Sequence, residues 1–121
     1  MTGREFKDST FRHIAKITSA VGSPKRLEIV DLLSQGDKDV ESLSREDTMN
    51  FANTSRHLKI LKNDGVVRTR KEGVRVVYSL ASDEVVRCWK HISALAKRSS
   101  AEPREITVTF LRETRALEQF P

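Results

Sequence analysis

Cysteine is nearly missing from this chain of 121 residues: Cys88 is the only one, so no intrachain disulfide framework and no thiolate cluster for a metal can be built. Long apolar runs are missing too. They stop after a few residues, as at Val66-Val67 or Ile60-Leu61, far below the roughly 20 that a membrane-spanning helix needs. The N-terminus from Met1 to Asp8 has no apolar signal core, so a cytoplasmic protein without a membrane partner is expected. Nor is there a catalytic constellation. The acidic run of Asp37, Asp39, Glu41, Glu46 and Asp47 has no nucleophile or His partner and reads as a solvated face, and His13 and His91 have no ligand-type companions at short spacing. No enzyme, metal or cofactor is expected.

What the chain does have is positive charge in one place. Between Phe51 and Arg75 lie Arg56, Lys59, Lys62, Arg68, Arg70, Lys71 and Arg75 against only Asp64 and Glu72, so this stretch alone matches the whole chain's net charge of +5. A pI near 9.7 calls for an anionic partner, either nucleic acid or an acidic membrane surface. The same stretch reads as a helix over 52–62, a turn at Asn63-Asp64-Gly65 and two short strands over 66–70 and 74–80 around Lys71-Glu72-Gly73. A cationic helix followed by a cationic hairpin suits a phosphate backbone, because each Lys or Arg that pairs with a phosphate releases condensed counterions.

Helical spacing accounts for most of the rest. Phe11, Ile14, Ile17 and Val21 follow a cap at Ser9-Thr10 and end at Gly22; Ser23-Pro24 restarts a helix carrying Leu27, Val30 and Leu33, stopped by Gly36. Lys25 and Arg26 in its first turn read as solvated charge in preference to a phosphate contact. A short third segment has Val40, Leu43 and Met49 as anchors. Asn50 then caps the cationic helix, whose buried side is Thr54, Leu58 and Leu61; Ala52, Asn53, Ser55, Arg56 and Lys59 lie opposite, where small and hydrogen-bonding side chains suit a major groove. In the second strand Val74, Val76 and Tyr78 alternate with Arg75, Val77 and Ser79, leaving Arg75 exposed. After Ser82, Val85, Val86, Trp89, Ile92 and Leu95 make an amphipathic helix, and another follows Pro103 with Ile106, Phe110, Leu111, Thr114 and Leu117. This is more apolar surface than one small domain covers, and the excess implies a dimer.

The segment from Val21 through Ser23-Pro24-Lys25-Arg26-Leu27 to Leu33 resembles the opening of the ArsR/SmtB family of bacterial winged-helix repressors. Ser55-Arg56-His57-Leu58-Lys59-Ile60-Leu61 resembles its recognition helix, and Lys71-Glu72-Gly73 with Val77-Tyr78-Ser79-Leu80 its wing; together these cover about residues 12 to 98. The resemblance implies a homodimer joined by its first and C-terminal helices, with recognition helices in successive major grooves of an inverted repeat and an effector that releases DNA. Metal-sensing members carry two cysteines around a valine where this chain has Asp39-Val40-Glu41, and Asp and His pairs where it has Ser82, Glu84, Leu95 and Arg98, so neither metal site is carried over. Val40-Glu41 with Leu43, and Ala52-Asn53-Thr54-Ser55 with His57-Leu58, are most similar to the subset joined to a C-terminal rhodanese domain. No rhodanese cysteine follows here, which leaves a stand-alone relative or the DNA-binding portion of a longer protein.

The expectation is therefore a mainly α protein with a small β-hairpin: a homodimeric winged helix-turn-helix domain over residues 1–98, with a C-terminal helix over 99–121 as dimer arm or linker. It would bind double-stranded DNA as a repressor through Asn50, Ala52, Asn53, Ser55, Arg56, Lys59, Arg70, Lys71 and Arg75. A winged-helix protein-interaction module is the alternative, for which a neutral or acidic helix and wing would be expected. His57 reads as a packing or phosphate-contacting group. Cys88 reads as a packed thiol beside a buried Trp89, with a redox sensor as the alternative; the effector is unknown.

Overall fold

The computed structural model describes residues 1–99. Its elements are α1 (Gly3–Val21), α2 (Pro24–Ser34), β1 (Lys38–Asp39), α3 (Val40–Glu46), α4 (Phe51–Asn63), β2 (Val67–Glu72), β3 (Arg75–Leu80) and α5 (Asp83–Ser99). They form one compact unit, Met1–Val86, and a second that begins at Arg87 within α5. The helix expected after Pro103 and the arm over 99–121 lie outside the described residues, Ser99 apart.

α1 begins well before the cap expected at Ser9-Thr10. Thr2 Oγ1 accepts from Glu5 N (3.1 Å) and Glu5 Oε2 accepts from Thr2 N (3.0 Å), a reciprocal capping box that supplies two orphan partners at the helix start. Ser9 and Thr10 become helix interior, where the Thr10 hydroxyl donates to the Phe6 carbonyl. Only Ala20 of α1 is buried; Phe6, Phe11 and Ile14 are 62%, 60% and 50% exposed. Ser23 caps α2 and Pro24 takes its first position, as expected.

The core is where α2, α3 and α4 meet the sheet. Ile29, Leu43, Leu58 and Leu61 are wholly buried, with Val30, Leu33, Val66, Val67 and Val77 beside them. Each such side chain contributes about 1.5–3 kcal/mol on burial, so this cluster outweighs any surface pair. The sheet has the order β1-β3-β2, both pairings antiparallel. β1 was not expected from the sequence. It pairs Lys38 with Tyr78 and Asp39 with Val77, which makes the hairpin the outer part of a three-stranded sheet.

β3 packs through the opposite parity to the one the Val74, Val76, Tyr78 alternation suggests. Val77, Ser79 and Leu80 are buried, whereas Val74 at the tip is fully exposed and Val76 is 39% exposed. Pairing with β1 puts Val77 against the body of the domain, and side chains one residue away must face outward. The tip is a two-residue turn between Glu72 and Arg75, with Gly73 at φ +63°, the left-handed first position of a II′-type hairpin turn. α5 has no buried residue: Trp89 is half-buried where burial was expected, Ile92 and Leu95 are exposed, and Cys88 is exposed where a packed thiol was expected.

Candidate nucleic-acid interface

The turn between α3 and α4 holds the cationic helix in place. Asp47 is completely buried; its Oδ1 accepts from Met49 N at 2.8 Å and its Oδ2 from Thr54 Oγ1 at 2.9 Å, so one carboxylate ties the end of α3, the turn and the first turn of α4. Thr48, next to it, sits at φ +60°, a left-handed conformation that a β-branched residue adopts only under constraint. Asn50 then caps α4, its Oδ1 accepting from Asn53 N at 2.8 Å. The Asn50 carbonyl is thereby committed to the cap, and only its amide group remains to donate.

α4 divides as its spacing predicts. Thr54, His57, Leu58 and Leu61 are buried; Ala52, Asn53, Arg56 and Lys59 are exposed and Ser55 is half-buried on the other side. Phe51, at the first helical position, is 58% exposed on the same helix end, and composition alone gave no reason to single it out. Among the described residues Lys59 and Lys62 have no carboxylate within ion-pair reach, whereas Asp64 is taken by Lys16 of α1 at 3.4 Å. The exposed face thus carries cations with no carboxylate partner among the described residues.

The wing is different. Arg70 pairs with Asp37, which precedes β1, and with Glu72 at 2.9 Å; Arg75 Nε donates to Asp39 Oδ2 at 3.0 Å. Asp37 first, and then Glu72, raise the Arg70 pKa. Asp39 also caps α3, its Oδ1 accepting from Ser42 N at 2.8 Å. That bond to Ser42 and then the Arg75 guanidinium hold its carboxyl at about 2. Two of the three wing residues expected to meet phosphate are therefore neutralised within the chain, and Lys71 and Arg68 are the wing cations without a carboxylate partner among the described residues.

Arg26, expected as solvated charge, is half-buried. Its Nε donates to the Ala20 carbonyl near the end of α1, and its Nη1 lies 3.2 Å from His57 Nδ1. Burial first, then Arg56 and Arg26, lower the His57 pKa from its ordinary value of 6.5 and keep the ring neutral. This junction joins residues 31 apart in sequence, which no local pattern could have revealed. Among the described residues no group of three or more His, Cys, Asp or Glu comes together as a metal site, and no helix is long and apolar enough to cross a membrane.

Residues 23–69 match the family of bacterial regulatory proteins named arsR. An HTH-type transcriptional regulator of Mycobacterium tuberculosis is 32% identical over 96 residues, which are 79% of this chain; the chain spans only 42% of that relative's length. A cadmium resistance transcriptional regulatory protein homologue of Staphylococcus aureus is 33% identical over 94 residues, covering 77% of this chain and 72% of the relative. Among solved structures, the homodimeric winged helix-turn-helix DNA-binding domain of a Mycobacterium bovis protein superposes with a TM-score of 0.76 at 31% identity, over 82% of this chain and 90% of that one.

Proposed function

The chain belongs to the ArsR family of bacterial regulatory proteins, and from that premise we propose that it is a transcriptional repressor that binds an inverted-repeat operator as a homodimer. The observation that carries this reading is the exposed face of α4, where Asn53, Ser55, Arg56 and Lys59 stand together with no carboxylate among them. Asn53 and Ser55 are placed to read base edges, with Ala52 permitting close approach and Phe51 suited to a thymine methyl. Arg56, Lys59, Lys71 and the Asn50 amide serve phosphates, and Arg68 joins them. Arg70 and Arg75 reach phosphate only by leaving Asp37 and Asp39. The protein-interaction alternative has no support in this charge pattern.

The exposed apolar residues of α1 and of α5 supply the dimer contact, each helix carrying side chains that a lone chain leaves in water. Asp39-Val40-Glu41 has no thiolate, and Ser82, Glu84, Leu95 and Arg98 do not make the Asp and His pairs of the other metal site, so zinc, cadmium and arsenite are expected not to release DNA. Cys88, exposed on α5, is the candidate thiol sensor, and replacing it by Ser decides the matter: oxidant must weaken DNA binding by the normal protein and not by the variant. The similarity to members joined to a rhodanese domain is a similarity of the DNA-binding portion, tested by the intact mass of the protein from its source.

Duplexes selected from a random pool by the protein itself test the whole reading. The expected result is a palindromic consensus, and log K falling linearly with log salt at about −0.9 per neutralised phosphate. Asn53→Ala should cost about 1–3 kcal/mol on the selected site and far less on random DNA. A flat salt response or no consensus would overturn it.

A further inference from the structure

His57 is 8% exposed and each of its ring nitrogens faces a guanidinium: Nδ1 lies 3.2 Å from Arg26 Nη1, and Nε2 lies 3.5 Å from Arg56 Nη2. A guanidinium only donates, and a neutral imidazole has one acceptor nitrogen. The ring can therefore accept from one arginine and must turn an N–H toward the other. A doubly protonated ring would face donors on both sides and is disfavoured by burial and by the two cations.

Arg26 takes the acceptor. It is the nearer of the two, it is half-buried, and its Nε is anchored on the Ala20 carbonyl, whereas Arg56 is exposed and has no anchoring bond apart from its contact with the ring. Nδ1 is then the acceptor and Nε2 carries the hydrogen. What remains is a pair of donors side by side, the His57 Nε2–H and the Arg56 guanidinium, 3.5 Å apart with no acceptor bonded to either among the described residues. An N–H turned toward another donor is unfavourable, and a single anionic oxygen placed between the two would satisfy both.

We propose that this donor pair is a phosphate site for the operator backbone, in which one phosphate oxygen is held jointly by His57 Nε2–H and the Arg56 guanidinium. Arg26 is the positioning residue, since it fixes the tautomer without touching the ligand. The site rests on the DNA-binding reading and sharpens it: of the groups on α4, it assigns these two to register on the backbone and leaves Asn53 and Ser55 to the bases. It also separates two energetic signatures. Losing Arg56 removes a charge and flattens the salt dependence, whereas losing the neutral His57 removes a hydrogen bond and leaves that slope alone.

Two-bond proton–nitrogen correlation spectra of labelled protein, free and with a duplex it has selected, provide the test. In the free protein His57 is expected to be protonated at Nε2; Arg26→Gln should give a mixture of tautomers. On adding duplex, the His57 Nε2–H signal should move and its exchange with water should slow. In binding assays His57→Leu should lose about tenfold to hundredfold on selected and random DNA alike with an unchanged salt slope, Arg56→Gln should flatten the slope by about 0.9, and His57→Gln, which keeps a donor near Nε2, should retain most of the affinity. Protonation at Nδ1 in the free protein, or an unmoved Nε2–H on a duplex that does shift Asn53, overturns the site while leaving DNA binding intact. A duplex that shifts no residue of α4 overturns the DNA-binding reading and the site with it. The spectra decide the question even if His57→Leu fails to fold.

Discussion

Replacing Asp37 and Asp39 by Asn should tighten DNA binding. Their ion pairs with Arg70 and Arg75 could matter in either of two ways, by holding the wing in position or by neutralising its charge. Magnitude decides between them. The paired side chains are 49% and 42% exposed at Arg70–Asp37 and 56% and 20% exposed at Arg75–Asp39, and pairs so open to water contribute little to stability. The wing is held instead by the ladder between β2 and β3, the pairing of β3 with β1, and the burial of Val77. Asn at position 39 also keeps the α3 cap, because Asn and Asp cap helices about equally well. The double variant therefore changes charge and very little geometry.

Arg75 loses its one carboxylate partner among the described residues in that variant, while Arg70 keeps Glu72. Each arginine that goes on to engage a phosphate steepens the slope of log K against log salt by about 0.9, which at about 0.1 M salt corresponds to roughly eightfold tighter binding. The expected gain is about eightfold if Arg75 alone engages and up to roughly sixtyfold if Arg70 follows. Fluorescence anisotropy of a labelled duplex across about 0.05–0.3 M salt reads both quantities. Two results would refute the reasoning: a slope no steeper than normal, or a gain that survives when Arg75→Gln and Arg70→Gln are added, since the latter would mean that removing negative charge acts by itself.

Thr48→Gly should stabilise the fold by about 0.5–1 kcal/mol in urea unfolding, because relieving a left-handed β-branched residue exceeds the entropy that Gly adds to the unfolded chain; a loss of stability would show that Thr48 is not strained. His57 has a folded pKa below its unfolded value of 6.5, so the unfolded chain binds the extra proton first; its contribution is complete above 6.5 and is lost as pH falls below it, and unfolding curves of the normal protein and His57→Gln should diverge less as pH drops through that range. Asp39, held at about 2 against an ordinary 3.8, contributes above 3.8 and loses that contribution as pH falls toward 2, so the acid limb of the same curves should flatten in Asp39→Asn. Ile14→Asp, on the exposed apolar face of α1, should leave the circular dichroism spectrum intact and yield a monomer in ultracentrifugation; a persistent dimer would remove α1 from the interface.

Local signals were legible in the sequence and distant ones were not. Asn50 as a cap, Ser23-Pro24 as a helix start, and Thr54, Leu58 and Leu61 as the buried side of α4 all depend on neighbours within two turns, and all stand as read. The start of α1 is just as local, set by the Thr2 and Glu5 box, but the apolar spacing that begins at Phe11 points to the later cap at Ser9-Thr10. The packed parity of β3 was ambiguous because Val76 and Val77 are both apolar, and the choice was made by β1, a two-residue strand too short for any pattern. The partners of Arg26, Arg70 and Arg75 lie 31, 33 and 36 residues away, and only the fold brings them together.

The same distances change what the charge count means. The +5 between Phe51 and Arg75 omits Asp37 and Asp39, yet the short strand β1 returns both carboxylates to the wing that the count treated as bare. Arg56, Lys59 and Lys62 on α4 keep their field, because the one acid at that helix's end, Asp64, is drawn off by Lys16. On the proposed reading α4 would therefore carry a fixed attraction for phosphate, set by residues that have no carboxylate partner among the described residues. The wing carries a conditional one: its arginines must exchange a carboxylate for a phosphate, an exchange of like for like in which the freed carboxylate takes up a cation, so that it adds little to the salt slope and depends on how closely the helix has already brought the backbone. On the proposed DNA-binding reading, α4 would set whether DNA is held and the wing how tightly, so substitutions at Asp37 and Asp39 should shift affinity across all sequences while those at Asn53 shift the choice among them.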